Sequence, residues 1–177
     1  VRRAALLVVL TVLAPGCGEH RLRGPVTTGG GPSASLIVTA GFGAATLHDL
    51  RVAPGQTVIA ALEGATRITT SYGGLYVESI DGKTGSAASG HDWLFFVNGL
   101  ESDVGAAAVT VATGDRIWWD YRAWRTYVGV PAVVGSWPEP FLHGIAGKRP
   151  AVTADPPLDG ALRAAGADVV EGTAHLR

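Results

Sequence analysis

Apolar positions along the chain come in short runs broken by Gly, Pro, Asn and Asp, the pattern of strands joined by tight turns. Leu36-Ile37-Val38-Thr39-Ala40 is a continuous apolar run that reads as a buried strand. Gly41-Phe42-Gly43 signals a turn, and residues 46–52 read as the returning strand, closed by Pro54-Gly55. Thr57 stands as an N-cap before Val58, Ala61 and Leu62 at helical spacing, with Gly64 as the stop; this is the one helix expected before residue 125. Residues 67–70 and 75–80 read as strands separated by Tyr72-Gly73-Gly74, and Asp81-Gly82-Lys83 closes the second. Residues 85–90 are a small-residue loop, and Val109 and Val111 mark another short strand.

The strongest pattern lies between residues 92 and 121, which hold three of the five Trp and two of the four Phe. Side chains alternate across a strand, so Trp93, Phe95 and Val97 share one face and Leu94 and Phe96 the other. Asn98-Gly99 marks a tight turn, and Thr113-Gly114-Asp115 introduces the next run; Asn98 and Asp115 read as turn residues. There Ile117, Trp119 and Tyr121 face one way, while Arg116, Trp118 and Asp120 face the other. Alternation assigns Trp93, Phe95, Ile117, Trp119 and Tyr121 to the core and leaves Trp118 as the aromatic expected to be exposed. The order of strands around one short helix predicts an α+β domain with a mixed or antiparallel sheet over residues 35–124.

Trp93-x-Phe95-x-Val97-Asn98-Gly99 followed by Gly114-Asp115-x-Ile117-x-Trp119-x-Tyr121 resembles the C-terminal domain shared by transcobalamin and intrinsic factor, and its bacterial relatives in exported and surface proteins. Thr57-Val58-x-Ala60-Ala61-Leu62 is similar to that family's helix, and Tyr72-Gly73-Gly74-Leu75-Tyr76-Val77 to its central region. The resemblance spans about residues 35–122. It implies a β-grasp-like fold and, more weakly, a corrinoid ligand such as cobalamin; the helical domain that completes the eukaryotic carriers has no counterpart here. A flat apolar ligand edged with amides calls for aromatics and close backbone approach. Trp118, Trp93 and Tyr121 can supply the first, and Tyr72, Gly73 and Gly74 the second. A structural or protein-interaction module of the cell surface, with no small ligand, is the alternative.

The first 17 residues read as an address. Arg2-Arg3 precedes a ten-residue apolar run, residues 4–13, too short to span a bilayer core of ~20 residues. Ala14-Pro15-Gly16-Cys17 follows, and Cys17 is the only cysteine. Small residues before a Cys resemble a bacterial lipoprotein signal, although Leu13 sits one position early and Pro15 is unusual there. The resemblance implies lipidation of Cys17 and an outward-facing, membrane-anchored protein of the bacterial envelope. An ordinary signal peptide is the alternative. The chain holds no Met and opens on Val1, which fits a non-standard start or a missing beginning. Residues 18–34, rich in Gly, Pro, Ser and Thr, read as a flexible tether.

Charge narrows the function classes. The net charge is −1, and without residues 1–16 it falls to −3, 12 basic residues against 15 acidic. No Lys/Arg cluster offers a nucleic-acid footprint. His48-Asp49 and His91-Asp92 are adjacent pairs whose side chains point to opposite faces, and His48, His91 and His143 follow no zinc spacing. No catalytic residue and no metal ligand is therefore assigned. After Trp124 the composition shifts: an apolar run at residues 128–134, a Pro-locked extended link at 137–142, then strand, helix and strand at 151–153, 158–165 and 168–170, with Gly166 as the helix stop. This tail, residues 125–177, is expected to open an incomplete α/β-like unit, cut short, or to lie as an extended arm over the first domain.

Overall fold

The computed structural model describes residues 30–125, 135–144 and 148–174. The expected signal segment, Cys17, most of the tether and the apolar run at 128–134 lie outside these residues. The elements in chain order are β1 (Ala34–Ala40), β2 (Ala45–Val52), α1 (Val58–Ala65), β3 (Ile68–Ser71), β4 (Tyr76–Ile80), β5 (Lys83–Thr84), β6 (His91–Val97), β7 (Leu100–Glu101), β8 (Arg116–Ala123), β9 (Ala151–Val152), α2 (Pro156–Ala164) and β10 (Asp168–Val169).

A mixed five-stranded sheet, ordered β2-β1-β8-β6-β7, forms the body of the first unit. Its central pair is parallel, with Ser35 opposite Arg116 and Ala40 opposite Tyr121, and the remaining neighbours are antiparallel. First and last strands side by side in the middle give the β-grasp-like α+β arrangement that the sequence predicts. The antiparallel sheet β3-β4-β5 stands apart from it. Leu36 and Val38 of β1, Val58, Ala61 and Leu62 of α1, Val77 and Ile80 of β4, and Trp93, Ile117 and Trp119 form one buried cluster. The apolar positions of α1 fall on the side facing that cluster, so burial holds a helix too short to persist alone.

Thr57 caps α1 as expected, its hydroxyl accepting from the Ala60 N–H at 3.3 Å. Gly64 does not stop the helix. The helix runs on to Ala65, where the backbone N–H and hydroxyl of Thr66 both donate to the Leu62 carbonyl, at 2.8 and 2.9 Å. Two donors on one carbonyl do the terminating work for which a left-handed Gly is otherwise the usual device. Val109 and Val111 do not form a ladder strand. They meet the chain just before and at the start of α1 through one bridge, Thr57 opposite Thr110, with Val58 N–H donating to the Val109 carbonyl and Val111 N–H to that of Gln56.

Residues 137–142 are not an extended link. Trp137–Pro138 and Glu139–Pro140 are cis, and N–H groups of Glu139, Phe141 and Gly144 donate to the carbonyls of Ser136, Pro138 and Pro140 in successive turns. Beyond them β9 and β10 pair in parallel across α2. That helix starts at Pro156, behind Asp155, two residues before the predicted start, because proline suits the first turn. Gly166, at φ 89°, follows its end. Val152, Leu162 and Val169 form a small cluster of their own with Phe141 packed against it, and Val170 is half-buried.

Candidate functional site: an aromatic cleft between β4 and β6

The two faces of β6 and β8 are built differently. On the face away from α1, Phe96 and Trp118 form a second buried pair. Trp118, expected to be exposed, is 7 % exposed. Its indole N–H donates to the Thr39 hydroxyl at 2.8 Å. Gly135 passes so close that a Cβ there would touch Cη2 at 3.5 Å. Arg116 holds this later segment in place by donating to the carbonyls of Ser136 and Trp137. Beside Trp118, Asp120 is fully buried and accepts from Thr39 Oγ1 at 2.6 Å, Phe42 N–H at 2.9 Å, Gly43 N–H at 3.1 Å and Arg122 Nε at 2.8 Å. The Arg122 guanidinium lies between the rings of Phe42 and Phe96, at 4.4 and 4.5 Å. A buried charge pair with its lone pairs occupied is architecture, and it locks the β1–β2 turn over the end of β8.

The face towards α1 is sealed at its centre and open at one side. Between β4, β6 and the loop after β7 lies a cleft of about 210 Å³, lined by Leu75, Tyr76, Trp93, Phe95, Trp119 and Glu101 among others. Phe95 and Trp119 stack at 5.1 Å and 27°. Trp93 is fixed by donating its indole N–H to the Lys83 carbonyl at 2.7 Å. Trp119 is 3 % exposed, and its buried indole N–H has no hydrogen-bond partner among the described residues. An unmet buried donor is destabilising by about 1–3 kcal/mol.

Of the lining residues Leu75 is 63 % exposed, and Tyr72, 81 % exposed, packs against the lining residue Tyr76. Tyr72 and Tyr76 meet edge to face, 6.2 Å apart and at 81°. Tyr76 donates its hydroxyl to Asp92. Burial, then that hydrogen bond and the negative charge of Asp92, raises the phenol well above its ordinary value, so it stays protonated across the physiological range. Tyr72, Gly73 and Gly74 all adopt positive φ, at 50°, 71° and 90°, in the turn that delivers Leu75 and Tyr76 to the cleft.

Of the sequence candidates, Trp93 lines the cleft, while Tyr72, Gly73 and Gly74 form the turn that precedes its lining residues Leu75 and Tyr76 and do not line it themselves. Tyr121 stands one layer behind: it packs on Trp93 at 5.2 Å, stacks with His91 at 5.6 Å and donates to the Thr84 carbonyl. Trp118 lies on the opposite face and is not brought to this site. Leu75, Tyr76, Phe95, Glu101 and Trp119 were not assigned to a site by sequence. An apolar residue directly after Gly-Gly, with Tyr at both ends of the turn, was the available signal. His48 bonds Asp81 at 2.6 Å, and no group of three metal-ligating side chains occurs among the described residues.

Residues 55–123 match a sequence family described as a domain of unknown function, DUF4430. The matched stretch falls within the span that resembles the transcobalamin C-terminal domain, and it contains β3 to β8 and the whole cleft. A crystal structure of a protein from Ruminococcus gnavus ATCC 29149, provisionally described as metal binding, is similar over 52 % of this chain and 98 % of its own, at 16 % identity and a TM-score of 0.44. No curated protein matches the chain.

Proposed function

We propose that the chain is a non-catalytic ligand-binding protein and that its ligand docks in the cleft between β4 and β6. The observation that carries this reading is the combination at Trp119: a buried donor without an acceptor among the described residues, in a residue that lines an aromatic cleft with exposed Leu75 at its edge. Binding sites are typically apolar concavities with a few placed polar groups. The finer assignment follows the family resemblance: cobalamin or a related corrinoid, whose amide carbonyls are acceptors of the kind Trp119 lacks. At about 210 Å³ the cleft takes an edge of such a molecule and does not enclose it. With Cys17 as a lipid anchor, the module would sit on the outer face of a bacterial membrane.

The test is to titrate the full chain with cobalamin, following the corrinoid absorbance and the tryptophan fluorescence. A spectral shift and co-elution are expected, and Trp119→Phe should weaken both. An unchanged spectrum with no co-elution removes the corrinoid. The exposed rim also suits a protein partner. Loss of partner capture on Leu75→Ser, with no small-molecule response, would favour that second reading.

A further inference from the structure

We propose that the group entering the cleft between β4 and β6 is an organic cation that also carries an oxygen acceptor, an alkylated ammonium alcohol such as choline in its simplest form. This rests on the reading of that cleft as the ligand site. Glu101 lines the cleft, and among the described residues no Lys, Arg or His does. Asp92 stands at the Tyr76 hydroxyl, and its charge and that of Glu78 both reach the phenol. The basic side chain of this region, Lys83, has its ammonium 4.4 Å over the ring of Tyr121. An anion would therefore meet carboxylates with no lining cation to offset them, whereas a cation would be drawn in.

Ring geometry points the same way. Tyr72 and Tyr76 stand at 81° to one another with centroids 6.2 Å apart, so their π-systems form a corner beside the cleft. A cation against such faces is attracted by the ring quadrupoles, and alkylated ammonium groups are held in this way by aromatic cages. Tyr72 sits at φ 50° and is 81 % exposed. Glycine or asparagine adopts that conformation more readily. The Tyr76 contact offsets that strain, and most of the Tyr72 ring stays exposed to meet a ligand. The stacked Phe95 and Trp119 supply apolar surface for alkyl groups.

The experiment titrates the full chain with choline and with its uncharged isostere, in which carbon replaces the quaternary nitrogen. Binding is read from the fluorescence of the cleft tryptophans and confirmed by calorimetry. Choline should bind about tenfold more tightly than the isostere, and the difference should shrink as salt is raised. Glu101→Gln should weaken choline several-fold, leave the isostere unchanged and leave the melting temperature unchanged, since Glu101 is an exposed residue. Tyr72→Asn should also weaken choline.

Equal binding of choline and isostere overturns the cation while leaving the cleft as a ligand site. So does a response to cobalamin with none to choline. If neither choline, isostere nor cobalamin perturbs the cleft, the cation and the ligand-binding reading fall together.

Discussion

Trp118 and Trp119 are neighbours in sequence and both are buried, yet they belong to opposite kinds of structure. Trp118 has its N–H satisfied by Thr39, next to a buried carboxylate engaged by four donors. Trp119 keeps an unmet N–H beside a cleft. The contrast teaches that burial alone does not separate architecture from function in a small sheet. The state of the indole donor does: at Trp118 it has its acceptor, and at Trp119 it is left over among the described residues.

The largest effect should come from the finished side. Asp120→Ala strips Arg122 of its carboxylate in a fully buried setting and should destabilise the protein by about 3–5 kcal/mol, read as a shift of the urea midpoint. A loss below about 1 kcal/mol would mean that the cluster is not structural and that the contrast fails.

Next comes the paired substitution of the tryptophans. Trp118→Phe and Trp119→Phe remove the same volume, so their cavity terms are similar. Trp118→Phe also breaks a satisfied bond, whereas Trp119→Phe removes an unsatisfied donor. Trp118→Phe should therefore be the more destabilising by about 1–3 kcal/mol. Equal losses in thermal melts would erase the distinction between the faces.

Smaller still is Tyr72→Asn. Relief of the left-handed backbone, about 1 kcal/mol, opposes the loss of the Tyr76 ring contact, also about 1 kcal/mol. Stability should stay within about 0.5 kcal/mol of the parent while ligand binding falls. A clear stability loss would make Tyr72 a structural residue.

The faintest effect lies between the two sheets, where His48 of β2 bonds Asp81 beyond β4. Burial on its own would raise the Asp81 carboxyl, but the bonds from His48 and from the Arg67 N–H outweigh it and hold the carboxyl below its ordinary value. A lowered carboxyl adds stability that is complete above the ordinary carboxylate range and is lost as pH falls through it. Both side chains are substantially exposed, at 32 % and 39 %, so solvent screens the pair and the contribution is slight. Asp81→Asn should remove that slight contribution near neutrality and flatten the acid limb, so that variant and parent converge below about pH 4.

Alternation made the two faces of Trp93–Val97 and Ile117–Tyr121 legible, and capping chemistry made the start of α1 legible, because both are local. What the sequence did not reveal is non-local. Trp118 seemed free because its partners, Thr39 and the segment at Gly135, lie far from it along the chain. The cleft was hidden for the same reason: its walls come from residues 75–77, 93–95, 101–102, 105–106 and 119, each ordinary in isolation. Asp120 reads only as a neighbour of Trp118 on one strand face, and its buried site with Arg122 is created by the packing of β1 against β8.

That parallel pairing of β1 and β8 also has a mechanical meaning. The chain enters the sheet at Ala34 and leaves it at Ala123, and the strands that carry those ends run side by side in the same direction. Tension between the two ends acts along the strands, so it loads the evenly spaced inter-strand bonds together and cannot peel them one at a time. Pulled from its ends, the domain should resist as a clasp, with the buried Asp120 cluster close to the bonds that bear the load.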